Sequence, residues 1–322
     1  MAFKTYLQAI RDAQYEEMAR DETVFLMGED TRCNIFGTST GLIEAFGDDR
    51  VRDTPISEAG MAGVAAGAAM VGMRPIVDFG MSTFLFPAVD QIFSIAAKSR
   101  YLYGGQARVP VVFRSNMIYG AGNAAQHSDR PYSMFMTMPG LKIMIPSNAY
   151  DMKGLMKTAI RDDNPVLSFE DALIWSNKSD IPEEEYLIPF GVAAVKREGV
   201  DCTVVGIGAM VPIAISAADA LAKDGISVEV IDPRTVAPLD SDSILKSVAK
   251  CGRLVVVDVG HECCSAAAEI AAIVAEHGFW SLRAPIVRVT TPQTHIPFSS
   301  ALEKGLYPTI ERVVAAVRRT LS

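Results

Sequence analysis

No Cys-x-x-Cys pair occurs in the 322 residues, and the five cysteines, Cys33, Cys202, Cys251, Cys263 and Cys264, are odd in number. Only the last two are close in sequence, where adjacency strains a mutual disulfide. Free thiols in a reducing compartment are therefore predicted. The four histidines, His127, His261, His277 and His295, lie too far apart for a local metal-ligand pattern, which argues against a structural zinc. Positive charge is also scarce: the net charge is -8, and a phosphate-tracking face needs excess Lys and Arg, so nucleic acid is a poor partner. No apolar run is long enough for a bilayer, since the best candidate, Met61 to Met73, is short and contains three glycines. The first residues, MAFKTYLQAIRDAQYEEMARDE, alternate charge with apolar side chains and lack the apolar core and small-residue cleavage site of a signal peptide. Together these absences predict a cytoplasmic protein with no membrane partner.

What remains is the composition of a folded protein, 49% apolar and 21% charged, with Gly and Pro spread along the chain and no repeat of solenoid length. The length exceeds what one hydrophobic core usually supports, so two domains are expected. Apolar spacing from Tyr6 to Met18 predicts a helix, and the run Val24 to Met27 a buried strand. The alternation continues with a small-residue helix at 59–71, a strand at 75–79 and a long helix near 87–103. Strands at 109–114, 141–145 and 166–169 follow, with a helix at 150–161. Buried strands separated by helices predict an α/β fold with parallel sheets. The polar, acidic stretch SNKSDIPEEEYL from Ser176 reads as an exposed connection, placing a first domain at 1–175, a linker at 176–190 and a second α/β domain at 191–322.

Two segments have the composition of a site. In DTPISEAGMAGVAAGAAM, which begins at Asp53, a strand end delivers the lone carboxylate Glu58 just ahead of a helix of Ala, Gly and Met. Gly60, Gly63 and Gly67 each cost roughly 1 kcal/mol of helix propensity, which is useful only where another backbone packs closely. Glu58 is either a first-turn acid favoured by the helix dipole or a carboxyl buried between strand and helix with a shifted pKa. The second segment, GAGNAAQHSDR from Gly120, is a flexible loop after a buried strand, where parallel sheets bind ligands. His127 there is an acid or base near neutral pH, or a residue that satisfies its own loop.

The strings DTPISEAGMAGVAAGAAMVGMRPIVDF, PAVDQIFSIAAKSRYLYGGQARVPVVFRS, AAQHS, PGLKIMIPSNAYDMKGL and AIRDDNPVLSFE resemble the β subunit of the thiamine-diphosphate-dependent first component of 2-oxo acid dehydrogenase complexes. The likeness continues through IDPRTVAPLD, GRLVVVD and APIVRVTTPQTHIPFSSALE, so it covers nearly the whole chain, with AAQHS, PSNAYD and Cys264-Ser265 most similar to the acetoin dehydrogenase branch. The resemblance implies a pyrimidine-binding domain followed by a transketolase C-terminal-like domain. It implies that Glu58 hydrogen-bonds N1' of the cofactor's aminopyrimidine, that Phe84 packs on that ring with Ile56 beside it, and that His127 assists proton transfers on the substrate. It also implies, for some members, a potassium ion at the loop matching Val111, Ala159, Asp162 and Asn164.

The family binds magnesium and the diphosphate through Gly-Asp-Gly followed by Asn-Asn, and this chain has neither. Those ligands are expected on an α subunit, in an α2β2 heterotetramer that hands an acyl group to a lipoyl acyltransferase. Two departures bear on substrate. His127-Ser128-Asp129-Arg130-Pro131 replaces a His-Ser-Gln-Ser-like run and places an ion pair beside the site, and Gly80 stands where a larger apolar residue is frequent, leaving room. The altered run after His127 leaves open a two-subunit thiamine-dependent carboligase. A non-catalytic subunit stays open only if Glu58 is dispensable.

Overall fold

In the computed structural model, which describes residues 2–322, the apolar runs become the inner strands of two separate parallel-rich sheets. The chain divides into two compact units, one comprising residues up to Ile118 and Phe135–Phe190, the other Tyr119–Met134 and Gly191–Ser322.

The first unit contains β1 (Ala2–Thr5), β2 (Val24–Gly28), β3 (Val51–Asp53), β4 (Arg74–Met81), β5 (Val112–Met117), β6 (Lys142–Met144), β7 (Val166–Asp171) and β8 (Lys178–Ile181). Its main sheet runs in the order β6-β7-β5-β4-β2-β3, with every one of these neighbours parallel. Register places apolar residues side by side: Leu26 with Ile76, Val77 with Phe113, and Phe113 with Leu167. One charged row interrupts this core. The fully buried Arg114 reaches Glu170 at 2.6 Å and Asp78 at 2.8 Å, so the cation is neutralised by two carboxylates on neighbouring strands.

Two expectations are corrected here. The long helix expected near 87–103 is three short pieces: a 3₁₀ turn at Ser82–Ala88, a π-helical turn at Gln91–Ala97 and an α turn at Ser99–Leu102. Pro87 lies inside the first piece and removes a backbone donor, which breaks helical continuity. Residues 176–190, expected to be an exposed connection, contain β8, which pairs antiparallel with β1. Ile181 and Ile188 are buried, and Tyr186 stacks on Tyr150 with ring centroids 4.6 Å apart, so this polar-looking stretch packs against the helix Ala149–Arg161. A Cβ on Gly154 would lie 2.7 Å from Ile188, which explains a glycine in that helix.

The second unit holds β9 (Ala194–Arg197), β10 (Cys202–Gly206), β11 (Val228–Asp232), the short β12 (Thr235–Ala237), β13 (Leu254–His261) and β14 (Val287–Thr291). Its five-stranded sheet runs β14-β13-β10-β11-β9, parallel except for the edge strand β9. Helices Met210–Ala222, Ser241–Cys251, Ala266–His277 and Ile310–Leu321 alternate with these strands, which makes this unit the second α/β layer expected. All five cysteines are free thiols, as their spacing predicts. Among the described residues no helix is long and apolar enough to cross a membrane.

Candidate active site

In the first unit the carboxyl ends of β2, β3 and β4 lie side by side, where a parallel sheet presents its loops to ligands. The helix Glu58–Met70 starts just beyond β3, so Glu58 occupies its first turn. Of the two readings left open for it, burial is not what the structure shows: its side chain is partly exposed and makes no hydrogen bond among the described residues, while Ile56 beside it is 82% exposed. The helix buries Met61, Ala62, Ala65, Ala66 and Ala69, but Val64 and Met70 are exposed, and a Cβ on Gly67 would meet nothing within 4 Å. Its outer face is therefore free within this chain.

Glu29 was not singled out by the sequence. It follows β2 directly, and one of its carboxyl oxygens is buried with no hydrogen-bond partner. Burial, and then the neighbouring charges of Glu58 and Asp30, push its carboxyl above the usual range. The Gly-Glu-Asp run behind a wholly apolar strand was the available signal, because it puts carboxylates at a strand's carboxyl end. Gly80, at φ +67°, also corrects an expectation of open space: a Cβ there would lie 3.4 Å from the ring of Phe36 and 3.9 Å from that of Phe84. Phe36 occupies the room that the missing side chain leaves, beside the partly exposed Phe84.

His127 belongs to the second unit, not to the domain its sequence position suggests. Residues 119–134 follow β5 and are anchored to residues of that unit. Tyr132, fully buried, hydrogen-bonds the carboxylate of Asp258, which also accepts the backbone amides of Gly260 at 2.8 Å and Ala267 at 3.0 Å. Burial pushes both the Asp258 carboxyl and the Tyr132 hydroxyl upward, with the charge of Asp258 adding to the latter. The buried Arg130 guanidinium lies 5.5 Å from the centroids of both Tyr119 and Tyr307 and donates to the carbonyls of Val259, at 3.1 Å, and Ser128. Two aromatic faces and two carbonyls thus hold the cation. His127 closes a single helical turn, Ala124–His127, and is half-buried.

Val111, Ala159, Asp162 and Asn164 gather where the helix Ala149–Arg161 ends and β7 begins. Their oxygens already serve protein donors: Val111 O accepts Val166 N at 2.9 Å, Ala159 O accepts Asp162 N at 3.2 Å, and Asp162 O accepts Arg74 at 3.0 Å. The Asn164 side-chain oxygen accepts Arg100 at 2.9 Å, and Lys142 bonds the Asp162 carboxylate. A large apolar groove nearby, of about 880 Å³ and lined by Tyr101, Leu102, Val109 and Met138, includes Asn164 but none of Ile56, Glu58, Phe84 or His127.

Comparison with known proteins places this geometry. Residues 4–171 match the transketolase pyrimidine-binding domain and residues 191–313 the transketolase C-terminal domain. The chain is 43% identical to the beta subunit of the acetoin:2,6-dichlorophenolindophenol oxidoreductase of Bacillus subtilis, covering 97% of this chain and 96% of that one. It is 44% identical to the beta subunit of the pyruvate dehydrogenase E1 component of Rickettsia felis, with 98% and 97% covered. To the 2-oxoisovalerate dehydrogenase subunit beta of Bacillus subtilis it is 42% identical, with 99% and 98% covered. Among solved structures, a split-gene transketolase described as an inactive beta4 tetramer superposes with a TM-score of 0.80 at 21% identity, over 99% of both chains, which shows the shared fold. With both domain models matched in order and relatives above 40% identity along nearly its full length, the chain belongs to the family of beta subunits of pyruvate, acetoin and 2-oxoisovalerate dehydrogenases.

Proposed function

We propose that this chain is the pyrimidine-binding half of a thiamine-diphosphate-dependent dehydrogenase acting on a small 2-oxo acid or on acetoin, and that Glu58, His127, Ile56 and Phe84 are its site residues. The observation that carries this reading is the open carboxyl edge of the first sheet, where Glu58, Ile56 and Phe84 stand exposed or partly exposed and Glu29 holds an unpartnered buried oxygen. Exposed apolar side chains beside a carboxyl suit a flat heteroaromatic ring that needs both a stacking surface and a hydrogen-bond partner. When bound, thiamine diphosphate supplies the electron sink for cleavage of a bond next to a carbonyl. Glu58 would hold the pyrimidine by a hydrogen bond at N1', where its carboxyl could carry the proton. Phe84 and Ile56 orient the ring and exclude water. His127 exchanges protons with the bound substrate.

The chain supplies no Gly-Asp-Gly motif, and among its described residues no group of three or more His, Cys, Asp and Glu is placed to hold a metal. Magnesium and the diphosphate are therefore assigned to an α subunit in an α2β2 assembly, with a lipoyl acyltransferase as acyl acceptor. The division into domains 1–175 and 191–322 belongs to the same proposal. The potassium assignment rests on three oxygens at the turn between Ala159 and Asn164 and on the Val111 carbonyl, each with a second lone pair to offer besides the donor it already accepts. The reducing-compartment chemistry of the free thiols supports a cytoplasmic location.

Replacing Glu58 by Gln tests the central role, because the amide keeps the volume but cannot move the proton. In the reconstituted two-subunit enzyme, exchange of the cofactor C2 proton should slow by at least about 10²-fold while assembly and melting temperature hold. Normal exchange in a cofactor-loaded tetramer removes Glu58 from the mechanism.

A further inference from the structure

The glycine-rich start of the His127 loop is held by a charge that nothing in the sequence singles out. Glu303, on the short helix Ser300–Glu303, is 1% exposed, and its carboxylate accepts Gly120 N at 2.7 Å, Gly122 N at 2.9 Å and the Tyr307 hydroxyl at 2.7 Å. Gly120 and Gly122 have φ of +77° and +73°, a left-handed backbone that turns alternate amides toward one anion. Tyr307 also lies against Tyr119, with ring centroids 4.9 Å apart, and its ring faces the Arg130 guanidinium. The segment is thus fixed at both ends, by Glu303 before His127 and by Arg130 after it.

We propose that Glu303 is a positioning residue that sets the placement of the His127 imidazole. The proposal rests on the reading of His127 as a proton-transfer group. Only Asn123 and one helical turn separate Gly122 from His127, and Ala124 takes φ +58°, so little slack remains between clamp and imidazole. Neutral acceptors would satisfy two loop amides as well, whereas a buried carboxylate costs desolvation. The return for that cost is a stiffer, charge-assisted pair of bonds, about twice as strong as neutral ones. Precision of placement is what proton transfer needs, since a 1 Å error costs about 10²-fold in rate.

Glu303→Gln keeps the shape but turns an NH₂ toward one of the two loop amides, so one of the two bonds is lost. In the reconstituted enzyme, amide exchange at 120–122 should accelerate, and turnover with pyruvate or acetoin and an artificial electron acceptor should fall by about 10–100-fold. Cofactor loading and C2 proton exchange should be unchanged, because those belong to the first unit. In a His127→Ala background the same substitution should lower turnover by no more than about twofold, since the group being positioned is gone. An additive loss in that double variant, or normal turnover despite faster loop exchange, overturns the positioning role. Normal turnover of His127→Ala alone overturns the reading of His127, and the positioning claim with it. Should Glu303→Gln not assemble, Glu303→Asp, which keeps the charge but shortens the reach, gives the same comparison.

Discussion

Glu58 and His127 carry the two proposed proton-transfer roles, and their surroundings are opposite. Glu58 stands in the first turn of its helix with an exposed neighbour, no hydrogen bond among the described residues and an open helix face behind it. The His127 segment is bound on both sides by buried charges of its own unit. A side chain left unheld by its own fold is completed by something outside it, whereas one that is already clamped needs no further positioning. Under the proposed roles, the residue assigned to the cofactor is thus left open by its own unit, and the residue assigned to the substrate is held by its own.

The largest effect that would break this contrast is the loss of the His127 imidazole itself. His127→Ala in the assembled enzyme should lower turnover by about 10²–10⁴-fold, the range for a positioned acid or base, while cofactor affinity stays within about twofold. Steady-state rates with lipoamide and with an artificial acceptor, next to calorimetry of cofactor binding, check it. A loss of affinity without a loss of rate would reverse the division between the two residues. The open residue makes a second prediction. Without an α subunit the chain should show no calorimetric heat with thiamine diphosphate and magnesium at concentrations that saturate the tetramer, because the ligands for a hard cation are missing. Tight magnesium-dependent binding by the chain alone would mean that Glu58 needs no completion.

The smallest effect concerns the held segment. Burial pushes the Glu303 carboxyl up, but the Tyr307 hydroxyl, the amides of Gly122 and Gly120 and the charge of Arg130 bring it net below its ordinary value. A depressed carboxyl contributes stability that is present above its unfolded pKa, about 4.3, and lost as pH falls through the folded value. The melting-temperature gap between the native protein and Glu303→Gln should thus be constant from about pH 6 to 8 and should close below about pH 4. A gap that widens in acid would show that the carboxylate is not what the clamp uses.

The sequence made the inner strands legible because buried parallel strands are continuous apolar runs, as in Val24–Gly28 and Leu254–His261. It hid β8 because KSDI has the composition of a connection, and only its pairing with β1 and the burial of Ile181 reveal a strand. It joined the pieces between Ser82 and Leu102 because periodicity is insensitive to a change from 3₁₀ to π geometry within a few residues. Glu58, Phe84 and His127 are proposed from long motifs in a fixed order, and those motifs also mark the family. Glu303 was not legible, since its partners at Gly120 and Gly122 lie about 180 residues away, and nothing local distinguishes it from a solvated helix acid.

The excursion of residues 119–134 also decides how the polypeptide can be dissected. A single cut after Phe190 would give two contiguous fragments, yet the C-terminal one would lack Tyr132 and with it the hydroxyl that the buried Asp258 carboxylate holds. It would also lack Arg130 and both glycines bound by Glu303, so three polar anchors would lose their partners together. The N-terminal fragment would carry that segment as an unanchored insertion between β5 and β6. Transplanting either half as a module would thus require moving a short internal stretch along with it. Recombination at the apparent boundary conserves the chain's length but not its wiring.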